Sequence, residues 1–536
     1  MATLANSQPS GTTGDRLAPM TAWERIEQLA DPRSFHETDR FLWSGDPLDF
    51  SDSITYERRL ADAQAATHML DAVVTGRARL LKVEVVLVVF DFRFLGGSMG
   101  TVVGEKVARA FDIARRENRP AIVVASTGGA RIQEGMMALF QMAKTAMAAA
   151  RLRERGVPLV TVLTDPTMGG VLASFASLAD VILAEPHARV SFVGPRVHEQ
   201  AIGDAAPPGT AEFALQHGTI DAIVQRQELR PLLGSLVSIL HAARILSPKP
   251  ALIGAVAPGH VRRSVWETVQ LARHPDRPSG RALAQRVFTN VFELHGDREG
   301  EDDDSILAGV GRLGGQAVCL VAQDRHSTSG GHTRPSGYRK AHRAFALAEH
   351  FRLPLITLVD TPGAATDAEA EARGATGAIA ISLAMLARLR TPVVNVVIGE
   401  GGSGGALALS VGDRLLMLEH AIFSVIGPEA ASAILYHDAV HAQELATRLK
   451  LTAADLMTLR LVDRIVPEQM PAHEAPDATA AVLRQALLNE LAPLVGASVN
   501  DLLKRRERKI RNVRDVRGRL SLFVHHPGSR QTAPAK

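Results

Sequence analysis

The sequence predicts an α/β protein built from two tandem copies of one fold. Apolar strand-like segments alternate with amphipathic helical segments along most of the 536 residues, which is typical of βαβ units with buried parallel strands. The chain is also too long for one typical domain. Landmarks of the first half recur in the second at offsets of 233 to 235 residues. The matched pairs are Pro120 and Pro354, Pro158 and Pro392, Gly170 and Gly405, and Pro195 and Pro428.

The elements of the first half follow from composition and spacing. Residues 21–35 have helical spacing, and the helix they predict stops near Pro32. Residues 101–118 form an amphipathic helical pattern. The apolar runs around and between the later helical stretches are rich in valine, leucine and isoleucine, which predicts buried strands. In chain order these runs are VEVVLVVF, PAIVVAS, VPLVTVLTD, VILAEP and RVSFVGP.

The second half repeats this order beyond Ser247–His260, a stretch rich in proline, glycine and alanine that predicts a linker. Its strand runs are AVCLVAQD, LPLITLVD, TPVVNVVIG and LLMLEH, and its clearest helix is GYRKAHRAFALAEHF. The predicted organisation is a disordered leader over 1–20, a first domain over 21–246, a linker over 247–262, a second domain over 263–520 and a tail over 521–536.

Composition excludes several classes of protein. The net charge at pH 7 is only +3, so no overall charge excess demands an anionic partner. Cys319 is the single cysteine, which rules out a disulfide within the chain and a cysteine-based zinc site, and we expect no metal. No apolar run reaches the roughly 18–20 residues that span a bilayer, and the amino terminus lacks a secretory signal pattern. We expect a cytoplasmic protein with no membrane partner.

A basic segment, Lys504–Arg519, stands near the end of the chain. It predicts either a solvated helix or an electrostatic contact with an acidic partner or nucleic acid. The residues alone leave both interpretations open.

Two glycine pairs stand where a predicted strand gives way to a helix. Gly169–Gly170 follow VTVLTDPTM, and Gly404–Gly405 follow VVNVVIGEGGS. The first N–H groups of a helix have no intrahelical partner, and the helix dipole adds positive charge there. Because glycine has no Cβ, a ligand oxygen can approach these donors closely. The pairs therefore predict either oxyanion sites made of backbone N–H groups or tight turns with close packing.

Other motifs fit less well. GEGGSGG lacks the Lys-Ser/Thr of a phosphate-binding loop and matches a dinucleotide fingerprint poorly. GGSGG around Ser403 has the form of a serine-hydrolase nucleophile elbow, but the first half has no serine at the matching place. That reading also needs an acid and a downstream histidine such as His420. His437 and His441, four residues apart, would share one helix face but lack further metal ligands.

On these motifs the chain resembles the carboxyltransferase of bacterial acetyl-CoA carboxylase. The first half is similar to its β subunit and the second to its α subunit, over about Thr21 to Arg514. The resemblance implies a β–α fusion with two tandem crotonase-type domains, each a ββα superhelix. The residues that carry it are FRFLGGSMGTVVGEK, TGGARIQEGMMALFQMAKT, LTDPTMGGVLASFA and FVGPRVHEQ in the first half, and QLARHPDRP, GYRKAHRAFALAEHF, LITLVDTPGA, VIGEGGSGGALALSVGD and FSVIGPEAASAIL in the second.

The resemblance implies a chemistry for the glycines. In the family, carboxybiotin on a separate biotin carboxyl carrier protein gives its carboxyl group to acetyl-CoA, which yields malonyl-CoA. Gly169 and Gly170 would hold the thioester enolate oxygen, and Gly404 and Gly405 would hold the biotin oxygen. The further residues expected to bind substrate are Gly128, Gly129, Ala130, Arg131, Gly194, Arg196, Gly363 and Gly427.

The resemblance also implies contacts with CoA, with partner proteins and with a second copy of the chain. Arg131 and Arg196 are expected beside CoA phosphates, with a structural ion pair as the alternative for each. The chain contains no MKM biotin-attachment sequence and no ATP-binding module, so biotin carboxylase and the carrier protein are expected as separate chains. Family sites are assembled from a β half facing an α half, which implies a homodimer or a larger assembly.

Some features depart from the family pattern. The four-cysteine zinc ribbon that often begins the β subunit is absent, and the loops at 323–336 and 364–373 differ from the usual sequences. Both loops are expected to border the pocket. Two alternatives therefore stay open: carboxylation or decarboxylation of a specialised acyl-CoA, or a non-catalytic relative that binds a partner through its basic tail.

Overall fold

The structure, a computed structural model, describes residues 17–192, 209–241 and 263–513. The predicted linker and tail lie outside these residues, as does most of the predicted leader, so the proposed domain boundaries stay predictions. Within the described segments, no helix combines the length and apolar character needed to cross a membrane.

Within the described residues, each half contains one eight-stranded mixed sheet. The strands of the first sheet are β1 (His36–Thr38), β2 (Val73–Leu80), β3 (Val83–Phe90), β4 (Ala121–Thr127), β5 (Leu159–Met168), β6 (Val181–Ala184), β7 (Val190–Ser191) and β8 (Ala222–Ile223). The strands of the second sheet are β9 (Thr289–Leu294), β10 (Ile306–Leu313), β11 (Gln316–Gln323), β12 (Leu355–Thr361), β13 (Val393–Gly402), β14 (Arg414–Leu418), β15 (Ile422–Ser424) and β16 (Arg464–Val466).

The two sheets have the same topology. The order is β1-β2-β3-β4-β5-β6-β8 in the first and β9-β10-β11-β12-β13-β14-β16 in the second, and β7 and β15 pair with β5 and β13. The first three strands of each sheet are antiparallel, and all later pairings are parallel. Even an irregularity recurs, because the β4–β5 register shifts after Ala125 and the β12–β13 register shifts after Val359. The predicted tandem repeat of one fold is confirmed.

Helices cover the sheets and connect their strands. Those of the first half are α1 (Ala22–Leu29), α2 (Tyr56–Thr67), α3 (Thr101–Glu117), α4 (Gly135–Glu154), α5 (Gly169–Val171), α6 (Ala211–Gln216) and α7 (Leu229–His241). Those of the second half are α8 (Val265–Ala272), α9 (Gly280–Val287), α10 (Pro335–Phe351), α11 (Ala368–Ala372), α12 (Ala375–Arg388), α13 (Ser403–Leu407), α14 (Pro428–Tyr436), α15 (Ala442–Arg448), α16 (Ala453–Thr458), α17 (Pro476–Val495) and α18 (Val499–Arg511).

Buried aspartates fix the amino ends of parallel strands in both halves. The Leu159 N–H donates to Asp180 at 2.9 Å, and the Val393 N–H donates to Asp413 at 2.8 Å. These N–H groups would otherwise be buried without a partner, which is costly. The same solution at the same sheet position in both halves shows that the repeat extends to side-chain contacts.

The two halves pack against each other through a buried ion-pair cluster. Asp221 accepts hydrogen bonds from Arg343 at 2.7 Å and from Arg298 at 2.5 Å, and both arginines belong to the second half. Nearby, the backbones of Gly218 and Gly296 approach so closely that a Cβ on Gly218 would lie 2.4 Å from the Gly296 Cα. Helix α7 also packs against strands of both sheets. One hydrophobic core therefore runs through both halves.

The helix α18 is anchored by a fully buried arginine. Arg506 donates to the carbonyl oxygens of Leu386 and Leu389 at the end of α12, and to Asp413 at 2.7 Å. These carbonyls are at a helix C-terminus, where a cation is favourable. Arg506 therefore connects the last described helix to the sheet.

We expect Arg506→Ala to lower the free energy of unfolding by about 3–5 kcal/mol, because Asp413 would be left buried without its cation. The neighbouring Arg505 is exposed, so Arg505→Ala should change that free energy by less than about 0.5 kcal/mol. Urea denaturation of both variants measures the difference. Equal stability of the two variants would contradict an anchoring role for Arg506.

Candidate active site

Both glycine pairs lie at a strand-to-helix junction. Strand β5 ends at Met168 and α5 begins at Gly169, continuing as a π-helical turn over Leu172–Ala176. Strand β13 ends at Gly402 and α13 begins at Ser403. The strands are the same member of each sheet, so the two junctions occupy equivalent places in the two halves.

The strand register corrects the alignment of the two pairs. Met168 pairs with Ser191 and Gly402 pairs with Ser424, so Met168 is equivalent to Gly402. The next residues, Gly169 and Ser403, both adopt a left-handed backbone, with φ of 62° and 52°. Pairing Gly170 with Gly405 was therefore wrong by one residue, because apolar and glycine spacing alone does not reveal backbone conformation.

The equivalent of Gly170 by this register is Gly404. A Cβ on Gly404 would meet no heavy atom within 4 Å, so packing does not require glycine there. A Cβ on Gly170 would lie 3.2 Å from the side chain of Met142, which is flexible. These two positions are the ones at which a methyl group can be added with little disturbance of the surrounding backbone.

The other two glycines have a packing role. A Cβ on Gly169 would lie 2.9 Å from the Gly129 Cα, and its φ is also unfavourable for other residues. A Cβ on Gly405 would lie 2.4 Å from the Ala364 N. Each junction is thus held in direct backbone contact with the turn that follows the neighbouring strand. For Gly169 and Gly405, close packing is a sufficient reason for glycine.

The neighbouring turns are the predicted substrate segments. One contains Gly128, Gly129 and Ala130 after β4, and the other begins at Gly363 after β12. In each, a buried threonine hydroxyl accepts the second N–H after it: Thr127 from Gly129 and Thr361 from Gly363, both at 3.0 Å. Sequence reasoning missed these threonines, although their matching positions in STGG and DTPG signal them.

Arg131 is not at a surface where it could contact a phosphate. Its side chain is fully buried, and its guanidinium donates to Asp71 at 2.7 Å and to the hydroxyl groups of Tyr56 and Ser44. Burial lowers the pKa of an arginine, but here the charge of Asp71 and the hydrogen bonds to Asp71 and Tyr56 together outweigh burial, so the pKa of Arg131 is raised. The prediction of a CoA contact is therefore corrected to the alternative, a structural ion pair. A single sequence does not distinguish the two.

The remaining predicted substrate residues divide into two groups. Gly427 is the N-cap of α14 and is half-buried. Gly194 and Arg196 lie outside the described residues, so their roles stay predictions.

Two polar side chains that sequence reasoning missed contact the second junction: Tyr338 and Gln323 both donate to the Gly405 carbonyl oxygen, at 3.3 and 3.4 Å.

The serine-hydrolase arrangement does not form among the described residues. Ser403 is exposed on the junction, but no histidine in the described part of the chain forms a hydrogen bond with its hydroxyl group. His420 lies beside Glu468 instead, with Nδ1 3.4 Å from Oε2. The prediction of a shared helix face for His437 and His441 is wrong, because α14 ends at Tyr436 and His437 is its left-handed C-cap. The described residues also contain no group of three or more His, Cys, Asp or Glu side chains that could hold a metal ion.

Comparison with known proteins decides the family. Residues 260–514 match the family model for acetyl co-enzyme A carboxylase carboxyltransferase-like proteins. The acetyl-coenzyme A carboxylase carboxyl transferase subunits beta/alpha of Salinispora tropica are 45% identical over 505 residues, which cover 91% of this chain and 89% of that protein. The chain belongs to the acetyl-CoA carboxylase carboxyltransferase family. The resemblance inferred from the sequence is thereby confirmed, as is the enzyme class.

Further relatives of this carboxyltransferase extend the comparison. A probable biotin-dependent acyl-coenzyme A carboxylase beta3 subunit of Mycobacterium bovis is 37% identical over 474 residues, covering 88% of this chain and 95% of that protein. The crystal structure of the transcarboxylase 12S hexamer, with methylmalonyl-coenzyme A and methylmalonic acid bound, shares the fold with a TM-score of 0.70 and 23% identity. The matched residues cover 87% of this chain and 90% of the transcarboxylase chain. The predicted fold class, two tandem crotonase-type domains, is confirmed.

The two loops that depart from the family pattern contact each other in this carboxyltransferase. Thr333 and Ala364 form a β-bridge, and Arg334 makes an ion pair with Asp367 at 3.1 Å. Asp367 also caps the short helix α11. The two segments thus form one connected surface beside the second junction, because Ala364 belongs to the turn that Gly405 contacts.

A buried carboxyl group lies under the same turn. Asp360 accepts the Glu400 N–H at 3.0 Å on Oδ1, but its Oδ2 has no hydrogen-bond partner. A guanidinium nitrogen of Arg325 lies 3.5 Å from the Asp360 Oδ1. Burial outweighs this neighbouring charge and raises the pKa of Asp360 from 3.8 to about 6.

This pKa gives stability a pH dependence. Between about pH 4 and 6 the unfolded chain loses the Asp360 proton while the native protein keeps it, so stability falls as pH rises. We expect Asp360→Asn to raise the free energy of unfolding at pH 8 by up to about 3 kcal/mol and to change it little at pH 4. Urea denaturation at both pH values measures this. The exposed Asp62→Asn serves as control, and an equal gain at both pH values for Asp360→Asn would contradict the assignment.

Proposed function

We propose that the chain transfers the carboxyl group of carboxybiotin, carried on a separate biotin carboxyl carrier protein, to acetyl-CoA and so forms malonyl-CoA. The fused relatives, which are named as acetyl-coenzyme A carboxylase carboxyl transferase subunits beta/alpha, support this reaction. The observation that carries the proposal is the pair of equivalent junctions, at which Gly170 and Gly404 stand at one register position and Gly404 faces open space.

The junctions suit a reaction in which two oxygens gain negative charge. Carboxybiotin supplies the carboxyl group, and the acyl-CoA supplies the carbon that accepts it. Backbone N–H groups at Gly169 and Gly170 would stabilise the thioester enolate oxygen, and those at Gly404 and Gly405 would stabilise the biotin oxygen. Each junction is held by backbone contacts and threonine hydrogen bonds, so its donors are fixed before the substrate binds.

Fixed donors explain why no nucleophilic side chain is needed. Neutral backbone N–H groups stabilise developing charge without carrying a charge that must itself be desolvated. Biotin carboxylase and the carrier protein would be separate partners, and the cytoplasm is the proposed compartment.

We expect Gly404→Ala to lower carboxyl transfer to free biotin roughly 10²-fold, because its methyl group enters the open space in front of the junction. Gly170→Ala should mainly impair use of the acyl-CoA. Gly496→Ala is a matched control, because a Cβ added at Gly496 would also meet nothing within 4 Å and because Gly496 lies outside both junctions. Steady-state rates with free biotin and with acyl-CoA measure both effects, and wild-type rates in both junction variants would reject the oxyanion assignment.

Gly405→Val is a poor test of this mechanism. Its side chain would meet the backbone of Ala364 and Gly363, so loss of activity would report a displaced turn as readily as a blocked site. A substitution of Gly169 is a poor test for the same reason, because its left-handed φ disfavours any other residue.

We further propose a homodimer in which the first half of one chain faces the second half of its partner. Two exposed apolar surfaces support it. One lies on and before α4 and includes Ile132, Met136 and Phe140, of which Phe140 is 66% exposed. The other lies on and after α14 and includes Leu435 and Val440, which is 84% exposed. Contiguous exposed apolar patches of this kind are typical of protein interfaces.

We expect Phe140→Asp to shift the protein from dimer to monomer and to abolish transfer, because a charge would be buried in the apolar contact. Leu459→Asp places the same charge on an exposed leucine outside both surfaces and should leave the dimer intact. Sedimentation velocity measures the assembly state. A Phe140→Asp protein that remains dimeric and active would contradict the proposed interface.

A specialised acyl-CoA is the second candidate substrate. The joined surface formed by Thr333–Arg334 and Ala364–Asp367 supports it, because these loops depart from the family pattern beside the second junction. The Mycobacterium bovis relative is likewise named as an acyl-coenzyme A carboxylase subunit. Comparing kcat/KM for acetyl-CoA with that for longer acyl-CoAs distinguishes the candidates.

A further inference from the structure

A charged groove lies at the edge of the sheets opposite the glycine junctions. Helices α3, α4, α10 and α12 each end just before the amino end of a parallel strand. The junctions lie at the carboxyl ends of those strands, and the ten-residue β5 spans roughly 30 Å between the two edges. The groove is therefore distinct from the candidate active site.

Three adjoining cavities form the groove, with volumes of about 650, 330 and 400 Å³. The first two share Glu349, Arg390 and Val499, and the last two share Glu154 and Arg155. Residues 154–156 belong to the first half and residues 349–352 to the second, so the groove crosses the contact between halves. We call it the interdomain groove.

The interdomain groove carries an excess of positive charge. Among the described residues, six arginines line it, against two glutamates, Glu154 and Glu349. The six are Arg115, Arg151, Arg155, Arg352, Arg388 and Arg390. Arg115 is 3.4 Å from Asp112, but the other five are exposed and form no ion pair with any residue that the structure describes. Their guanidinium donors are available to an external anion.

Helix geometry explains how these charges are held together without a ligand. Arg115, Arg151 and Arg388 lie in the last turns of α3, α4 and α12, and Arg155 and Arg352 are the C-caps of α4 and α10. Cations are favourable at helix C-termini. His350 adds no charge at neutral pH, because burial lowers its pKa to about 4.

The arrangement fits a ligand with several linked negative groups. Guanidinium groups bind phosphate oxygens in a bidentate manner, and one phosphate cannot contact arginines spread over three cavities. The largest cavity also has apolar lining residues, including Met385, Leu389 and Val499, which suit an uncharged group beside the phosphates. We propose that the interdomain groove binds an oligophosphate anion of two or more linked phosphates, either free or as part of a nucleotide.

The test uses the full chain and two probes, inorganic triphosphate and ATP, in calorimetric titrations at low salt. The groove variant is Arg155→Gln with Arg390→Gln, which should weaken triphosphate binding at least about tenfold. The control variant, Arg33→Gln with Arg460→Gln, removes the same charge from two exposed arginines outside the groove and should bind as the unaltered protein does. Binding should also weaken as salt rises.

Each outcome bears on the proposal. Equal binding of the two probes supports a free oligophosphate, and tighter binding of ATP supports a nucleotide. Binding of ATP alone likewise supports a nucleotide. No binding of either probe, or equal losses in the groove and control variants, would overturn the assignment. Gly404→Ala should bind triphosphate normally, so failure of the junction mechanism and failure of this proposal give different results.

Discussion

The direct backbone contact between a strand-end turn and the neighbouring strand-to-helix junction is the constraint on which the candidate site depends. Turn and junction meet at Gly129 and Gly169 in one half, and at Ala364 and Gly405 in the other. A Cβ on Gly169 or on Gly405 would collide with the neighbouring turn. The contact fixes where each helix begins, and therefore where its unpaired N–H groups point.

Much of this architecture could be predicted from one sequence. Buried parallel strands are continuous runs of valine and isoleucine, and the repeat offset identifies two copies of one sheet. The one-residue error between Gly170 and Gly405 shows the limit, because residue type does not reveal that Ser403 adopts a left-handed conformation. Arg131 shows another limit, since both a phosphate and a buried Asp71 suit an arginine.

The polar groups inside the protein follow a shared plan with local differences. Asp180 and Asp413 do the same work at equivalent strands, but Asp413 also binds the fully buried Arg506. Burial raises the pKa of Asp180 to about 6, although the partly exposed Arg153 and the Leu159 N–H both oppose this shift. The two halves thus solve one backbone problem at different electrostatic cost.

The cluster at Asp221 has a consequence for how such a chain could be divided. The first half holds a fully buried carboxylate whose two cationic partners, Arg298 and Arg343, both come from the second half. Separating the halves would remove both cations from Asp221, so the first half by itself lacks the charges that compensate this carboxylate. Fusion keeps the two parts at a high effective concentration, which favours the contact between them. A split version would have to recover by affinity what covalent linkage now provides.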